Sequence, residues 1–494
     1  VPDPLSNPAA LPAFRRFARE HWPGILAISC VALLPCFWHR EIVSSDLGSH
    51  LYNAWLAQLI RHGQAPGLYI ARQHTNVLFD SLLGWFGAAF GLHAAEKISV
   101  SISVLVFFWG MFALVAAATR RAPWYLTPCI AMFTYGWTFH LGFFNYYLSL
   151  GLAFWGLAIL WRGARREWIL AGVFGALSLI AHPLGFLWLI AAGAYVFVAQ
   201  VTTHRRYQLF LLAAVAASLF GLRRYLWSHY SVSPGTGPAY VFNGTDQLLL
   251  FGPRYQIVAN ALVAFVLVAL IVDLIRRRSE SNRWLYYAIP IQLYVLTELS
   301  VLLLPGAIHF PPPTAAAALF TERLTSVSSA LICCLLGAML PRKWHLGATA
   351  AIATLFFAFV YQDTAKVDRM EQQVVRLVSQ LPPNQRVMGT IIKPEESRVL
   401  IQHILDRACI RRCFSYGDYE PSTGLFRVRA LPGNPYVVSR YDDAVDIEDG
   451  QYMVQPEDLP AFQVYQCSPS GTDLCIRALE AGQENDRLGV HPDQ

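Results

Sequence analysis

Ser44-Ser45-Asp46-Leu47-Gly48-Ser49-His50-Leu51-Tyr52-Asn53-Ala54-Trp55 follows the first apolar run of the chain, and its reading decides how the rest is understood. One carboxylate, Asp46, stands between a hydrophobic segment and a stretch with apolar residues at near-helical spacing: Leu51, Ala54, Trp55, Leu59 and Ile60. Gly63 supplies the stop. Two readings compete for Asp46. An aspartate just before a helix is what N-capping asks for. An acid fixed at a membrane–water boundary can instead act as a base toward a hydroxyl.

Composition says which solvent surrounds this stretch. Hydrophobic residues make up 55% of the chain and charged residues 14%, against about 25% charged in a soluble domain. Most of the chain is therefore expected in lipid. Runs near the roughly 20-residue length of a span fall at 24–39, 96–118, 123–139, 144–161, 167–182, 184–201, 207–222, 255–275, 284–304, 319–340 and 345–362. Arg15, Arg16 and Arg19 precede the first of them. Basic clusters recur at Arg120-Arg121, Arg162 to Arg166, Arg205-Arg206, Arg276 to Arg278 and Arg342-Lys343. Each cluster lies on the side of the N-terminus, which the positive-inside rule makes cytoplasmic. An odd number of spans then puts the tail outside. The formal net charge of +6 belongs to these clusters and is no nucleic-acid signal.

The expected fold is a polytopic α-helical membrane protein with about eleven transmembrane helices. Residues 1–364 form the transmembrane unit, with a structured first extracytoplasmic loop at 39–95. Its helix from Ser49 to His62 is expected along the interface, Tyr52 and Trp55 at headgroup depth. Residues 365–494, where acids outnumber bases, form a small mixed α/β extracytoplasmic domain. It opens with a helix at 367–381, followed by strand-like runs at 386–392, 426–428 and 436–438. Cys409, Cys413, Cys467 and Cys475 all lie there, an even number that points to up to two disulfides without giving their pairing. The location implied is a bacterial inner membrane with the tail in the periplasm.

The order of first span, outer-loop Asp46, a helix beginning His50-Leu51-Tyr52-Asn53-Ala54-Trp55 and the turn Gly63-Gln64-Ala65-Pro66 resembles the GT-C class of integral-membrane glycosyltransferases. That class includes protein O-mannosyltransferase-like and lipid A aminoarabinose transferase-like enzymes. The resemblance implies transfer of a sugar from a polyprenyl-phosphate carrier to an acceptor hydroxyl on a glycolipid, a polysaccharide or a protein at the outer face. Asp46 is then the general base. Many members carry a paired acidic motif in this loop. Here Leu47 follows Asp46, so a directly bound divalent metal, which generally wants more than one carboxylate, is not supported.

Other residues qualify as substrate contacts. His50 lies four residues after Asp46, on the same helical face, and can bind phosphate or share a proton with the acid. His74 and Asn76 belong to a cluster rich in hydrogen-bonding groups, and Asp80 is an acid inside an apolar stretch. Arg323 opens a late span at its outer end, where a lipid phosphate needs a cation, and the resemblance implies that role for it. Local pairing with Glu322 is the rival reading. Arg223 and Arg224 break the positive-inside pattern and are candidates for the carrier phosphate. His182, between two spans, either lines the pocket or forms a turn with Pro183. Two rival functions remain at this stage: a transporter or flippase of lipid-linked sugars, and an O-antigen polymerase or ligase. The first draws on Asp273 and Glu298 within apolar runs.

Overall fold

The computed structural model describes residues 10–163, 167–202, 204–235, 243–279, 288–310, 317–391, 396–401, 403–468 and 473–486. Helix α1 (Ala10–Leu33) leads into α2 (Leu47–Arg61), β1 (Leu68–Ile70) and α3 (Leu78–Phe90). A run of helices follows: α4 (Leu92–Thr119), α5 (Thr127–Thr134), α6 (Trp137–Leu141), α7 (Phe144–Arg162), α8 (Trp168–Ala181), α9 (Pro183–Val201) and α10 (Arg205–His229). After β2 (Ser231–Ser233) come α11 (Tyr255–Arg276), α12 (Ala288–Leu303), β3 (Ala307–His309), β4 (Ala317–Ala318), α13 (Phe320–Ala338) and α14 (Lys343–Val378).

Six of these helices, α4, α7, α9, α10, α11 and α14, are long and apolar enough to cross a membrane. Helices α3, α8 and α12 are apolar but shorter. Side-chain exposure matches a lipid solvent. No residue of α10 is buried, and its Phe210 and Phe220 point outward. Such a surface is stable only against hydrocarbon or a partner.

The expected span at 123–139 is instead two short helices, α5 and α6, separated at Tyr135-Gly136. Gly136 takes an extended conformation, and its added Cβ would lie 3.0 Å from the Gln247 carbonyl. Close packing of that loop breaks the helix. The aromatic run Phe143 to Tyr147 looks from sequence like an interfacial belt, yet Phe144, Tyr146 and Tyr147 are buried. Phe144 stacks on Phe79 of α3 at 4.6 Å, and the Tyr147 hydroxyl donates to the Thr134 carbonyl.

The last span and the helix expected at 367–381 are one 36-residue helix, α14. It carries the chain without a break into the tail: β5 (Gln385–Thr390), α15 (Ile404–Cys409), β6 (Cys413–Ser415), α16 (Glu420–Thr423), β7 (Val428–Ala430), α17 (Tyr441–Asp449), β8 (Ala461–Gln466) and β9 (Leu474–Ala478). Strands order as β6-β5-β8-β9, parallel except for the β8–β9 hairpin. The run at 436–438 forms no strand, and residue 392 lies outside the described residues. The four tail cysteines lie in two pairs at disulfide distance, Cys409–Cys413 and Cys467–Cys475.

The tail sits on the segment between α1 and α4. Strand β7 leaves the tail sheet and pairs antiparallel with β1. Tyr52 is fully buried and accepts from the Ser415 amide, and Trp55 stacks on Phe414. Protein covers these two aromatics where headgroups were expected. Arg407 of α15 ties the junction together, 3.2 Å from Glu371 of α14 and 3.5 Å from Glu96 of α4.

Candidate active site

Backbone bonds set Asp46 in place. The Ser45 and Asp46 amides donate to the carbonyls of His140 and Leu141, at 2.8 and 3.1 Å, pinning the start of α2 against α6. Gly142, at φ 88°, ends α6; its added Cβ would lie 2.6 Å from the Asp46 amide nitrogen. Only a glycine allows that approach. The Asp46 side chain makes no capping hydrogen bond and is 13% exposed. A capping role therefore does not account for it.

What surrounds this carboxylate comes largely from the tail. Gly48 of α2 faces the His403 carbonyl, so the tail backbone lies directly on the helix. His403 places Nε2 3.8 Å from Asp46 Oδ1 and Nδ1 2.9 Å from Asp406 Oδ2. The Ser415 hydroxyl donates to the other Asp406 oxygen. Burial works against a charged His403. The hydrogen bond and charge of Asp406, helped by Glu448 and Asp46, outweigh it and push the imidazole up to about 10. His403 is then an imidazolium beside the acid.

A second pair, His50 buried and Asp80 partly so, lies one turn along α2. His50 Nδ1 is 2.8 Å from Asp80 Oδ1 and 3.6 Å from Glu420 Oε1. Burial again opposes its charge, and Asp80 prevails, raising His50 to about 9. Burial disfavours the Asp80 anion, but His50 and the Asn145 amide hold its carboxyl below the usual range. Asn145 is wholly committed here: Nδ2 donates to Asp80 Oδ2, and Oδ1 accepts from the Phe79 amide. His50 thus shares its proton with Asp80. Asp418 accepts from Ser49 and Asn53 on the same helix, and burial with the charges of Asp406 and Glu420 lifts its carboxyl well up.

Arg323, in the first turn of α13, lies with its guanidinium 4.1 Å from the Phe143 ring centre. The Tyr146 hydroxyl donates to its carbonyl at 2.7 Å. Its Nε is buried without a hydrogen-bond partner, and among the described residues no carboxylate pairs with it. Glu322 instead accepts from the Thr321 hydroxyl. The positive charge of Arg323 still reaches Asp46. Burial lifts the Asp46 carboxyl above the ordinary range, while His403, His50 and Arg323, in that order, draw it back. His182 caps α9, accepting from the Leu184 amide, with its ring 5.5 Å from that of Tyr146. It is both a turn residue and a neighbour of the Arg323 cradle.

Among the described residues, the other sequence candidates make no hydrogen bond or ion pair with Asp46. His74 is exposed. Asn76, at φ 58°, contributes its carbonyl to Asn145. Arg223 donates to the Leu303 carbonyl and stacks over Trp227 at 4.2 Å, and Arg224 is exposed. Sequence reasoning missed His403, Asp406, Asp418, Glu420 and Glu448. The signals available were His403 and Asp406 at i,i+3 and the acidic run Asp418-Tyr419-Glu420. Neither stands out without knowing that the tail folds back onto α2.

Among the described residues, donor atoms close enough to share a cation are found at Glu41, His93 and Glu96, within 4.8 Å of one another. Arg407 already stands 3.8 Å from Glu41 and 3.5 Å from Glu96. No protein-family model, no curated protein and no solved structure matches the chain. Chemically, the site offers a desolvated carboxylate able to take a proton, with an unpaired guanidinium nearby suited to an anionic leaving group.

Proposed function

We propose that the protein is a membrane glycosyltransferase of the GT-C kind, moving a sugar from a polyprenyl-phosphate carrier to an acceptor hydroxyl on the extracytoplasmic face. Asp46 takes the proton of the acceptor hydroxyl, and that oxygen forms a bond to the anomeric carbon. The bond from that carbon to the phosphate oxygen breaks, and the lipid phosphate leaves with the electron pair beside Arg323. One observation carries this reading: the Asp46 side chain caps nothing and lies partly buried within reach of the charge of Arg323, whose Nε is unpartnered. Perturbed acids and unpaired cations gathered in one place are the mark of a working site. His403 and His50, both cationic, favour the Asp46 anion, while burial preserves its basicity.

The test is sugar transfer from radiolabelled polyprenyl-phosphate sugars in membranes containing the protein or Asp46→Asn at equal abundance. Loss of transfer with donor binding intact supports the assignment. Equal transfer by both proteins removes it. A carrier of lipid-linked sugars is the second reading, because Glu298 in α12 keeps a buried Oε1 without a hydrogen bond. Asp273 does not add to it, since Asp273 pairs with Arg277 at 2.7 Å.

A further inference from the structure

Around Arg407 of the tail, three other elements converge: the linker after α1, the start of α4 and the C-terminal part of α14. Glu41 lies on that linker, its amide donating to Asp368 Oδ1 at 3.1 Å. His93 and Glu96 stand in the opening turns of α4, three residues apart and therefore on one helical face. The Ile42 amide donates to Glu96 Oε1 at 3.1 Å and holds the linker against that face.

One oxygen of Glu41, one of Glu96 and one ring nitrogen of His93 lie within 4.8 Å of one another. They front an open cavity of about 380 Å³, whose wall also carries Glu371 and Arg407. Charge there is out of balance. Glu96 and Glu371 are almost wholly buried, and the Glu41 side chain is 15% exposed. The buried cation shared by these three carboxylates is Arg407, 3.2 Å from Glu371, 3.5 Å from Glu96 and 3.8 Å from Glu41. The other cations of the wall, Arg40, Arg376 and Arg412, are exposed to water, although Arg40 stands 3.3 Å from Glu41. Lys97, next to Glu96 in the chain, donates to the Cys36 carbonyl. Arg407 adds a second unmet demand. Its side chain is nine-tenths buried, and its Nε has no hydrogen-bond partner.

Carboxylates alone suit magnesium or calcium, and an imidazole turns the preference toward transition metals. We propose that Glu41, His93 and Glu96 bind one divalent transition-metal ion of the zinc type. Zinc takes such ligands at about 2.0–2.2 Å, so the triad draws together on binding. His93 supplies the movement: its side chain is 68% exposed, its Nδ1 is 3.9 Å from Glu41 Oε2, and it makes no hydrogen bond among the described residues. Three protein ligands leave one position open to the cavity for water. A water there offers the acceptor that Arg407 Nε lacks. Arg407, paired with two of the ligating carboxylates, orients them as outer partners of metal sites do. The ion then ties the linker after α1 to α4 and, through Arg407, to the tail.

The test uses Zn²⁺ alone as the probe. Untagged full-length protein in detergent micelles is stripped with a chelator, and Zn²⁺ binding is measured by equilibrium dialysis. One saturable Zn²⁺ per chain is expected, bound at least about tenfold more weakly by His93→Gln, an amount equal to about 1.4 kcal/mol. Because the His93 side chain is exposed, the metal-free variant is expected to melt where the metal-free wild type does. The rise in melting temperature that Zn²⁺ gives the wild type should be lost in the variant. His204→Gln, at another exposed histidine, binds as the wild type does. No saturable binding, or equal binding by His93→Gln, overturns the proposal. Displacement of Zn²⁺ by excess Mg²⁺ describes a carboxylate site without the imidazole and overturns it too. Sugar transfer plays no part in this readout, so the fate of Asp46→Asn leaves the metal site untouched.

Discussion

His403 Nε2 lies 3.8 Å from Asp46 Oδ1, so a residue of the tail stands against the acid at the start of α2. His403 is buried and Asp46 partly so, and each moves the other's proton equilibrium toward the charged form. The tail is therefore part of the candidate site.

Asp46→Asn is expected to lower transfer by about 10²–10⁴-fold, the usual contribution of a positioned base. The same change is expected to leave thermal stability at or above the wild-type value. The side chain caps no helix, so the loss of about 1 kcal/mol that follows removal of an N-cap does not apply. Transfer assays beside a thermal melt of the purified protein check both halves. A variant that melts clearly earlier returns Asp46 to a structural role.

Stability is expected to fall as pH rises from neutral toward about 10. His403 rises from 6.5 to about 10 in the folded protein and His50 to about 9, so the native state holds protons that the unfolded chain releases. Their contribution is complete below pH 6.5 and disappears as pH passes through the folded values. Glu420, raised to about 8 chiefly by burial, acts in the same direction because its neutral form is the favoured one. Melting temperature against pH measures this slope. His403→Gln is expected to flatten it above pH 7, and an unchanged slope refutes the assignment of His403 as a buried cation.

Arg323→Gln is expected to weaken donor use by roughly 10–100-fold, in line with about 1.5–3 kcal/mol for a hydrogen bond to a charged group. The loss should be read in donor affinity, with donor titrations for wild type and variant side by side. Arg323→Lys is expected to restore little, because an ammonium reproduces neither the fork nor the stacking over Phe143. Full rescue by lysine shows that charge alone suffices.

Gly48→Ala is expected to lift the tail from α2, since its methyl group overlaps the His403 carbonyl. Overpacking of this kind costs typically about 1–3 kcal/mol. Limited proteolysis between α14 and β7, with transfer measured on the same preparation, reports both consequences. A protease-resistant, active Gly48→Ala protein shows that the contact relaxes without effect.

Much of the fold was legible in the chain. Long apolar runs, basic clusters and an acidic tail with four cysteines point to a helical membrane protein and a mixed α/β appendage. Continuous hydrophobicity is read by lipid alone, with no partner needed, which is why α4, α7, α9, α10, α11 and α14 match their expected positions. The short elements escaped for the opposite reason. Whether 123–139 runs straight or breaks at Gly136 depends on the Gln247 loop packed against it. The aromatic face of α2 looks the same whether headgroups or protein cover it, and Phe414 and Ser415 settle that choice.

For the site, the chain by itself offered Asp46, His50, His74, Asn76, Asp80, His182, Arg223, Arg224 and Arg323 as candidates, from residue type, position and the GT-C resemblance. Tertiary structure alone decided which of them lie together. It set His50 on Asp80, left Arg323 without an acid of its own, and brought His403 and Glu420 from the far end of the chain. The physical reason is distance. A charge affects a proton only across a few ångströms of low-dielectric interior, and neighbours of that kind are made by folding, not by order along the chain.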